Sequence, residues 1–301
     1  GGFTFYIQKI WKNKAWIGAA MCIMYLIYNM LSIPVHTFHV FTAVSSIADE
    51  VTGKTTQVTD PLYYVIEVAI IVVIAVITFG GIKSVTKFSD AVVPVMSGLY
   101  VLIVLVLIVL NIGKVPGFFA AVFVGAFKPS AIFGGAFGVA MAQGLKRGLL
   151  SNEAGMGSTP HAHARAVVKN PHCQGLAAMI SVFIDTFIVL NLTVFSILTT
   201  NSLSSGKDGI MLTQYAFSTV FGSFGDIFIA VCLLFFAFST ILGWHFFGSI
   251  NVKHLFGKKG MVPYSVLVAV FIVVGSMLKV DLVWTLADFF NGLMVIPNAL
   301  A

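Results

Sequence analysis

The sequence predicts an all-α protein that crosses a membrane several times. Of its 301 residues, 58% are hydrophobic and 9% are charged, and the mean hydropathy is +1.00. Soluble domains carry about 25% charged residues, so this chain has too few charges to cover a surface that faces water. Apolar runs of about 20 residues recur along it, and each is long enough to cross the roughly 30 Å hydrocarbon core of a bilayer.

Eight apolar segments follow one another, and we expect each to form a membrane-spanning helix. In order they are A, about residues 15–47; B, 61–80; C, 91–113; D, 133–158; E, 174–199; F, 226–250; G, 261–280; and H, from 283 to the end. The stretches 115–131 and 209–222 are too interrupted to span, so they are expected to lie as helices at the outer surface. Both ends of the sequence resemble the middle of a protein, which predicts truncation at each.

The basic residues alternate between the two sides of these segments. Twelve of the 17 fall on one side, namely Lys9, Lys12, Lys14, Lys83, Lys87, Lys146, Arg147, Arg165, Lys169, Lys253, Lys258 and Lys259. The other side holds Lys54, Lys114, Lys128, Lys207 and Lys279. Loops rich in Lys and Arg stay in the cytoplasm, so the residue 1 side is expected to be cytoplasmic, in the inner or plasma membrane. Because the net charge of +6 is scattered in this way, the lipid bilayer is the expected partner and nucleic acid is not.

Segment D departs from an ordinary spanning helix because it is rich in glycine. Seven glycines precede Pro160, namely Gly134, Gly135, Gly138, Gly144, Gly148, Gly155 and Gly157. Each glycine costs a helix about 1 kcal/mol relative to alanine. Close packing of small residues is one explanation. The polar run Ser151-Asn152-Glu153 favours another, a broken helix that serves transport or gating, since unwound backbone is tolerated at such depth only beside protein or water.

Polar side chains inside other segments are further candidates, each with a structural alternative. Asp185 lies in the middle of segment E, where a packing hydrogen bond and a coupling role both remain open. Ser239 and Thr240 in segment F offer hydroxyl oxygens of the kind that sodium binds, or they donate backwards to helix carbonyls. Trp244 lies one turn after Thr240 on the same helix face. His39 in segment A either lines a pathway or packs against a neighbouring helix.

A metal-dependent enzyme embedded in the membrane is the alternative from a different functional class. It would use His161, His163 and Glu153. Histidines at positions i and i+2 of a helix point to different faces, and no carboxylate accompanies the pair at metal-ligand spacing, so this alternative has little support. A passive pore is a third possibility. The sequence favours neither an enzyme nor a bound cofactor.

The run from Gly144 to Pro160, GLKRGLLSNEAGMGSTP, closely resembles a motif of the sodium:alanine symporter family, which transports alanine or glycine with a cation. Further family-like stretches occur in the same order along the chain, namely Phe79-Gly80-Gly81-Ile82, Val92-Val93-Pro94, Asn111-Ile112-Gly113, Phe183-Ile184-Asp185-Thr186 and Leu286-Ala287-Asp288. The resemblance covers essentially the whole sequence.

The resemblance implies a leucine-transporter-like fold of five-plus-five inverted repeats, with the first two core helices missing from this sequence. Residues 1–114 would be the end of the first repeat, with three helices, and 115–301 would be the second repeat, with five. The implied function is sodium-driven symport of a small neutral amino acid, alanine or glycine, with sodium as the coupling ion.

The resemblance also assigns roles to particular residues. It places Met141, Thr240, Trp244 and His39 at the amino-acid site, His39 near a position where the family commonly has glutamine. Ser239 and Thr240 would bind the cation. The orientation places the end of segment D on the cytoplasmic side. Gating or coupling is therefore expected of Arg147, Ser151, Asn152, Glu153 and Asp185.

Overall fold

A computed structural model describes residues 2–12, 14–54, 60–79, 81–128, 136–207, 209–277 and 280–299, and all regular secondary structure in these ranges is helical. The helices are α1, Phe3–Ile10; α2, Ala15–Thr52; α3, Pro61–Phe79; α4, Gly81–Leu110; α5, Val115–Phe119; α6, Ala136–Asn152; α7, Pro160–His163; α8, Pro171–Thr199; α9, Gly209–Phe221; α10, Ser223–Phe256; α11, Met261–Met277; and α12, Val280–Ala299. Short 3₁₀ turns occupy Ile112–Lys114, Ser202–Ser205 and Gly257–Gly260, and a π-helical turn, Ala120–Val124, continues α5.

Each apolar segment predicted from the sequence coincides with a helix, which confirms the all-α multi-pass class. Within the described part of the chain, four helical stretches are long and apolar enough to cross a membrane, namely Ala15–Thr52, Lys87–Leu110, Pro171–Thr199 and Ser223–Val274. The helices predicted within 115–131 and 209–222 are also present, as α5 with its continuation and as α9.

Segment D is shorter than predicted at its end. The sequence predicts that it runs to residue 158, whereas α6 ends at Asn152. Gly134 and Gly135, part of the same glycine-rich prediction, lie outside the described residues. The helix ends where Glu153 and then Gly155 take a left-handed backbone, which cannot continue a right-handed helix.

The first of two compact units comprises Gly1–Pro94, Glu153–Leu176 and Leu233–Ala301. Its centre is α2, which packs against α1, α3, α11 and α12. The apolar core includes Ile33 and Val40 of α2, Ile241 and Leu242 of α10, and Ile272 of α11, all at most 2% exposed. Burying an apolar side chain of this size contributes about 1.5–3 kcal/mol, so these contacts fix the helices that carry the polar residues described below.

The second unit comprises Val95–Asn152 and Ala177–Cys232. Tyr100 of α4 shares a 2.6 Å hydrogen bond with Thr193 of α8, and Phe118 of α5 stacks on Phe195 of α8. A π-helical turn, Ile184–Val189, interrupts α8 and contacts α6. The predicted repeat boundary at residue 114 concerns internal symmetry, which this division does not address, so it stays a prediction.

Candidate functional site

The glycine-rich run breaks the helix and turns the chain through residues 153–159, called here the motif loop. Glu153, Gly155 and Gly157 have φ angles of 54°, 81° and 80°. Glycine adopts this left-handed backbone freely, whereas a residue with a Cβ atom pays about 1–2 kcal/mol. Glu153 is therefore a strained position, and such positions persist where neighbouring contacts hold them.

The side chain of Glu153 folds back into the motif loop. The hydroxyl of Ser158, which is buried, donates to Glu153 Oε2 over 2.6 Å. Burial raises the pKa of Glu153 to about 7, although the bond from Ser158 acts in the opposite direction. The pKa of this loop carboxyl group, outside the stretches long enough to span a membrane, therefore lies near neutral pH.

The end of α6 is tied to the π-helical turn of α8. Ser151 Oγ donates to Asp185 Oδ2 over 2.8 Å, and Asn152 Nδ2 donates to Thr186 Oγ1 over 2.9 Å. A π-helical turn inserts an extra residue and re-aims the side chains around it, and such turns are frequent at functional sites. Ser151 and Asn152 are adjacent on α6, and Asp185 and Thr186 are adjacent on α8. A small shift of α6 would therefore break both hydrogen bonds together. Arg147 lies exposed on the same helix.

The two histidines of α7 have different partners. His161 is fully buried between Tyr25 and Phe247, whose ring centroids lie 4.7 and 5.6 Å away. Burial lowers the pKa of His161 to about 4. His163 Nδ1 instead pairs with Gln174 Nε2 at 2.7 Å. In the described part of the chain no three His, Cys, Asp or Glu side chains lie close enough to hold a metal ion.

The two hydroxyl groups predicted to bind a cation point back along their own helix. Ser239 Oγ and Thr240 Oγ1 both donate to the carbonyl oxygen of Phe236, over 2.9 and 2.8 Å. This is the structural alternative considered for them from the sequence. A hydroxyl group that donates its hydrogen in this way keeps the lone pairs of its oxygen, and a cation binds to lone pairs. Both oxygens are therefore chemically suited to binding sodium.

Of the residues predicted to bind the amino acid, Thr240, Trp244 and His39 belong to the first unit. Trp244 is 3% exposed and packs edge-on against Tyr28, with ring centroids 5.0 Å apart. His39 is half-buried, its ring centroid 6.2 Å from that of Trp284, and its Nδ1 has no hydrogen-bond partner among the described residues. Met141 belongs to the second unit and is exposed on α6.

A buried polar cluster beside Trp244 was not predicted from the sequence. Asn29 of α2 donates through Nδ2 to the carbonyl oxygen of Trp244. The hydroxyl of Tyr264 lies 3.1 Å from both Asn29 Oδ1 and the carbonyl oxygen of His245. Asn29, an amide side chain in an apolar run, is the sequence signal that was passed over. It is fully buried, and a buried amide must find hydrogen-bond partners elsewhere in the fold.

Apolar helices long enough to span a membrane, and a helix broken at a glycine-rich loop, are typical of multi-pass membrane transporters. The sequence model of the sodium:alanine symporter family matches residues 1–301. The chain therefore belongs to the sodium:alanine symporter family, as the motif from Gly144 to Pro160 indicates. Relatives of the chain are described as carriers or symporters.

Individual relatives cover the chain well. The amino-acid carrier protein AlsT of Bacillus subtilis is 35% identical over 303 residues, which are 99% of the chain and 62% of AlsT. The sodium/alanine symporter AgcS of Methanococcus maripaludis is 38% identical over 228 residues, 74% of the chain and 50% of AgcS. A sodium/proton-dependent alanine carrier protein of Bacillus sp. is 34% identical over 251 residues, 77% of the chain and 56% of that protein. The chain thus spans between 50% and 62% of these relatives.

Proposed function

We propose that the chain is part of a secondary symporter that couples sodium entry to the uptake of a small neutral amino acid, alanine or glycine, by alternating access. Family membership supports symport, and the printed functions of AgcS and of the Bacillus sp. carrier support alanine as the substrate class. No cofactor is involved beyond sodium itself, which acts as the coupling ion.

The observation that carries the proposal is the break of α6 at the motif loop. An uninterrupted helix satisfies its own backbone groups and offers nothing to a solute, whereas a broken one leaves carbonyl and amide groups free for ions and substrates. The tie of Ser151 and Asn152 to Asp185 and Thr186 is the kind of contact that a gate makes and breaks. With Arg147 and Glu153, we assign these residues to gating or coupling.

The amino acid is assigned to residues of three helices, and the cation to two residues of one of them, with Thr240 shared. Thr240 and Trp244 of α10, His39 of α2 and Met141 of α6 would contact the amino acid. Ser239 and Thr240 would give the sodium ion the lone pairs that their back-donation leaves available. Sodium binding would favour the outward-facing state, because a ligand shifts the equilibrium toward the state that it binds more tightly.

The repeat architecture and orientation belong to the same proposal. Residues 1–114 and 115–301 would be parts of two inverted repeats of a leucine-transporter-like fold, and the residue 1 side would face the cytoplasm. Rocking of the repeats would then open the site alternately to each side of the membrane.

Uptake by the reconstituted full-length gene product tests the proposal. In proteoliposomes, an inward sodium gradient is expected to drive accumulation of labelled alanine, and Thr240→Val is expected to raise the sodium concentration for half-maximal uptake about tenfold or more. Valine keeps the shape of threonine but removes the oxygen, so packing changes little. Accumulation that ignores sodium and follows a proton gradient would overturn sodium coupling, and flux that equilibrates without accumulation would indicate a passive pore.

A further inference from the structure

His161 lies at a crossing of three helices and the motif loop in the first unit. Its ring packs between Tyr25 of α2 and Phe247 of α10. Gly2, just before α1, approaches the same ring so closely that a Cβ atom there would overlap it. Complete burial of an imidazole requires that both of its nitrogens find partners, and here both do.

The hydrogen bonds of His161 fix its tautomer. Nδ1 lies 3.0 Å from the carbonyl oxygen of Ser158, which can only accept, so Nδ1 carries the proton. Nε2 is then bare and accepts from Asn251 Nδ2 at 3.1 Å. The pattern requires a neutral imidazole.

Asn251 uses every hydrogen-bonding position of its amide. One hydrogen of Nδ2 goes to His161 and the other to the carbonyl oxygen of Phe247, 3.0 Å away. Its Oδ1 accepts from Thr4 Oγ1 over 3.0 Å and from Cys22 Sγ over 3.2 Å. Turning the amide over would set Oδ1 against the Phe247 carbonyl oxygen, so this orientation is fixed. We call this group of Thr4, Cys22, Ser158, His161 and Asn251 the His161 node.

We infer that His161 and Asn251 are positioning residues of the transport cycle, and that their hydrogen bond holds the motif loop closed against α1, α2 and α10 until the loop opens toward the residue 1 side. The inference rests on the proposed function and names a second closure, in addition to the tie of Ser151 and Asn152 to α8. Every hydrogen-bonding position of the His161 ring and of the Asn251 amide is used in this buried node, so one broken bond leaves several groups unsatisfied and the node opens as a whole.

Protonation is the natural trigger for opening. A second proton on His161 would place an N–H group against the N–H of Asn251. The titratable group that faces the ring is Tyr25 of α2. Cys22 of α2 is linked to the ring through Asn251, and Glu153 of the loop is linked to it through Ser158. The contribution of α1 is Thr4, which does not titrate, and that of α10 is the amide of Asn251. Because Cys22 is fully buried in the node, opening of the node would admit solvent and protons to it.

The labelling rate of Cys22 measures this opening. Cys22 is fully buried in the node, so it reacts with N-ethylmaleimide only when the node opens. The experiment uses the full-length gene product with every other cysteine replaced by serine, and divides each rate by that of the SDS-unfolded protein at the same pH. His161→Phe keeps an aromatic ring at this position but removes both nitrogens. It is expected to raise the relative rate about tenfold, the equivalent of one net hydrogen bond. Asn251→Leu is expected to do the same.

The matched control is His163→Phe, in the same short helix but bonded to Gln174 outside the node; its relative rate is expected to stay within about twofold of the parent. The pH measurement uses a Glu153→Gln background, because Glu153 lies in the same loop and its raised pKa would oppose the effect of His161. In that background the relative rate should rise between pH 7.5 and 5, and adding His161→Phe should make it independent of pH, which a purely structural role of the ring would not produce. Equal rates in His161→Phe and His163→Phe, or a rate in the Glu153→Gln background that does not change with pH, would overturn the inference. Because labelling needs no transport, an absence of sodium-driven uptake would sink the proposed function alone.

Discussion

Glu153 and His161 lie on either side of Ser158, which bonds to both of them. The hydroxyl of Ser158 donates to the carboxyl group of Glu153, and its carbonyl oxygen accepts from the imidazole of His161. Burial raises the pKa of Glu153 from 4.5 to about 7 and lowers the pKa of His161 from 6.5 to about 4. A proton that enters this part of the molecule therefore binds Glu153 before His161, the reverse of the order in an unfolded chain.

These opposite shifts predict opposite effects of pH on stability. Between pH 4 and 6.5 the unfolded chain binds a proton at His161 that the folded protein does not, so this group lowers stability as pH falls. Between pH 4.5 and 7 the folded protein binds a proton at Glu153 that the unfolded chain does not, so this group raises stability as pH falls. In the parent protein the two effects oppose each other over the shared range.

Substitutions that remove one group should expose the other. Glu153→Gln keeps the acceptor for Ser158, and its melting temperature is expected to drop more than that of the parent between pH 7 and 5. His161→Phe is expected to change in the opposite sense over the same range. Thermal unfolding of the full-length gene product in detergent measures both, with the parent correcting for all other carboxyl groups. If all three proteins show one pH dependence, the two shifted pKa values are wrong.

At the level of the helices, each apolar segment predicted from hydropathy contains a helix, but not every helix end was predicted. Segment F was expected at 226–250, whereas α10 runs from Ser223 to Phe256. An apolar window marks the part of a helix that lies in lipid, and the helix continues into its polar ends. The prediction for segment D was instead too long, because the hydropathy window includes glycines beyond Asn152 whose left-handed backbone ends the helix there.

The motif could be found from sequence, but most of its partners could not. The polar run Ser151-Asn152-Glu153 stands out against apolar neighbours, and Asp185 stands out in the middle of its segment. Asn29 also stands out in its apolar run, but neither it nor Tyr264 or Asn251 indicates in the sequence which partner it meets. Asn29 and Tyr264 are 235 residues apart in the chain, so only the packed helices bring them together.

The close approach of α2, α10 and α11 depends on Gly248. A Cβ atom at this position would overlap the hydroxyl of Tyr264 and would lie 2.8 Å from Asn29 Oδ1. Gly248→Ala is therefore expected to lower the free energy of unfolding by about 1–3 kcal/mol through overpacking. Thermal unfolding in detergent measures the change.

Two further variants separate crowding from helix propensity. Gly243 lies in the same helix, but a Cβ atom there meets nothing within 4 Å among the described residues, so Gly243→Ala should be neutral or stabilising by up to about 1 kcal/mol. Tyr264→Phe removes the hydroxyl group that would be overlapped. Combined with Gly248→Ala, it should recover part of the loss. If Gly243→Ala destabilises as much as Gly248→Ala, or if the double variant is no better than the single one, the account of this crossing fails.

At the scale of the whole molecule, the first unit joins three stretches that the distribution of basic residues had placed on one side. Asn298 near the end of α12 donates to the carbonyl oxygen of Gly155 in the motif loop and is also bonded to Tyr6 of α1. Asn251, near the end of α10, reaches His161 after the same loop. The start of the chain, the motif loop and the end of α10 therefore lie at one end of this unit.

Which side of the membrane this end faces is a separate question, and Cys173 can answer it. Cys173 is exposed near the start of α8, after Arg165 and Lys169, and the charge bias predicts that it is cytoplasmic. With every other cysteine replaced by serine, a membrane-impermeant maleimide is expected to label it in inside-out vesicles and not in right-side-out ones. Leu203→Cys in a background without Cys173 is the opposite control, because Leu203 is 61% exposed in the turn before Lys207, on the side predicted to be outside. Labelling of Cys173 from the outside would invert the orientation, and the motif loop with its His161 node would then close the outer end of the pathway instead of the inner one.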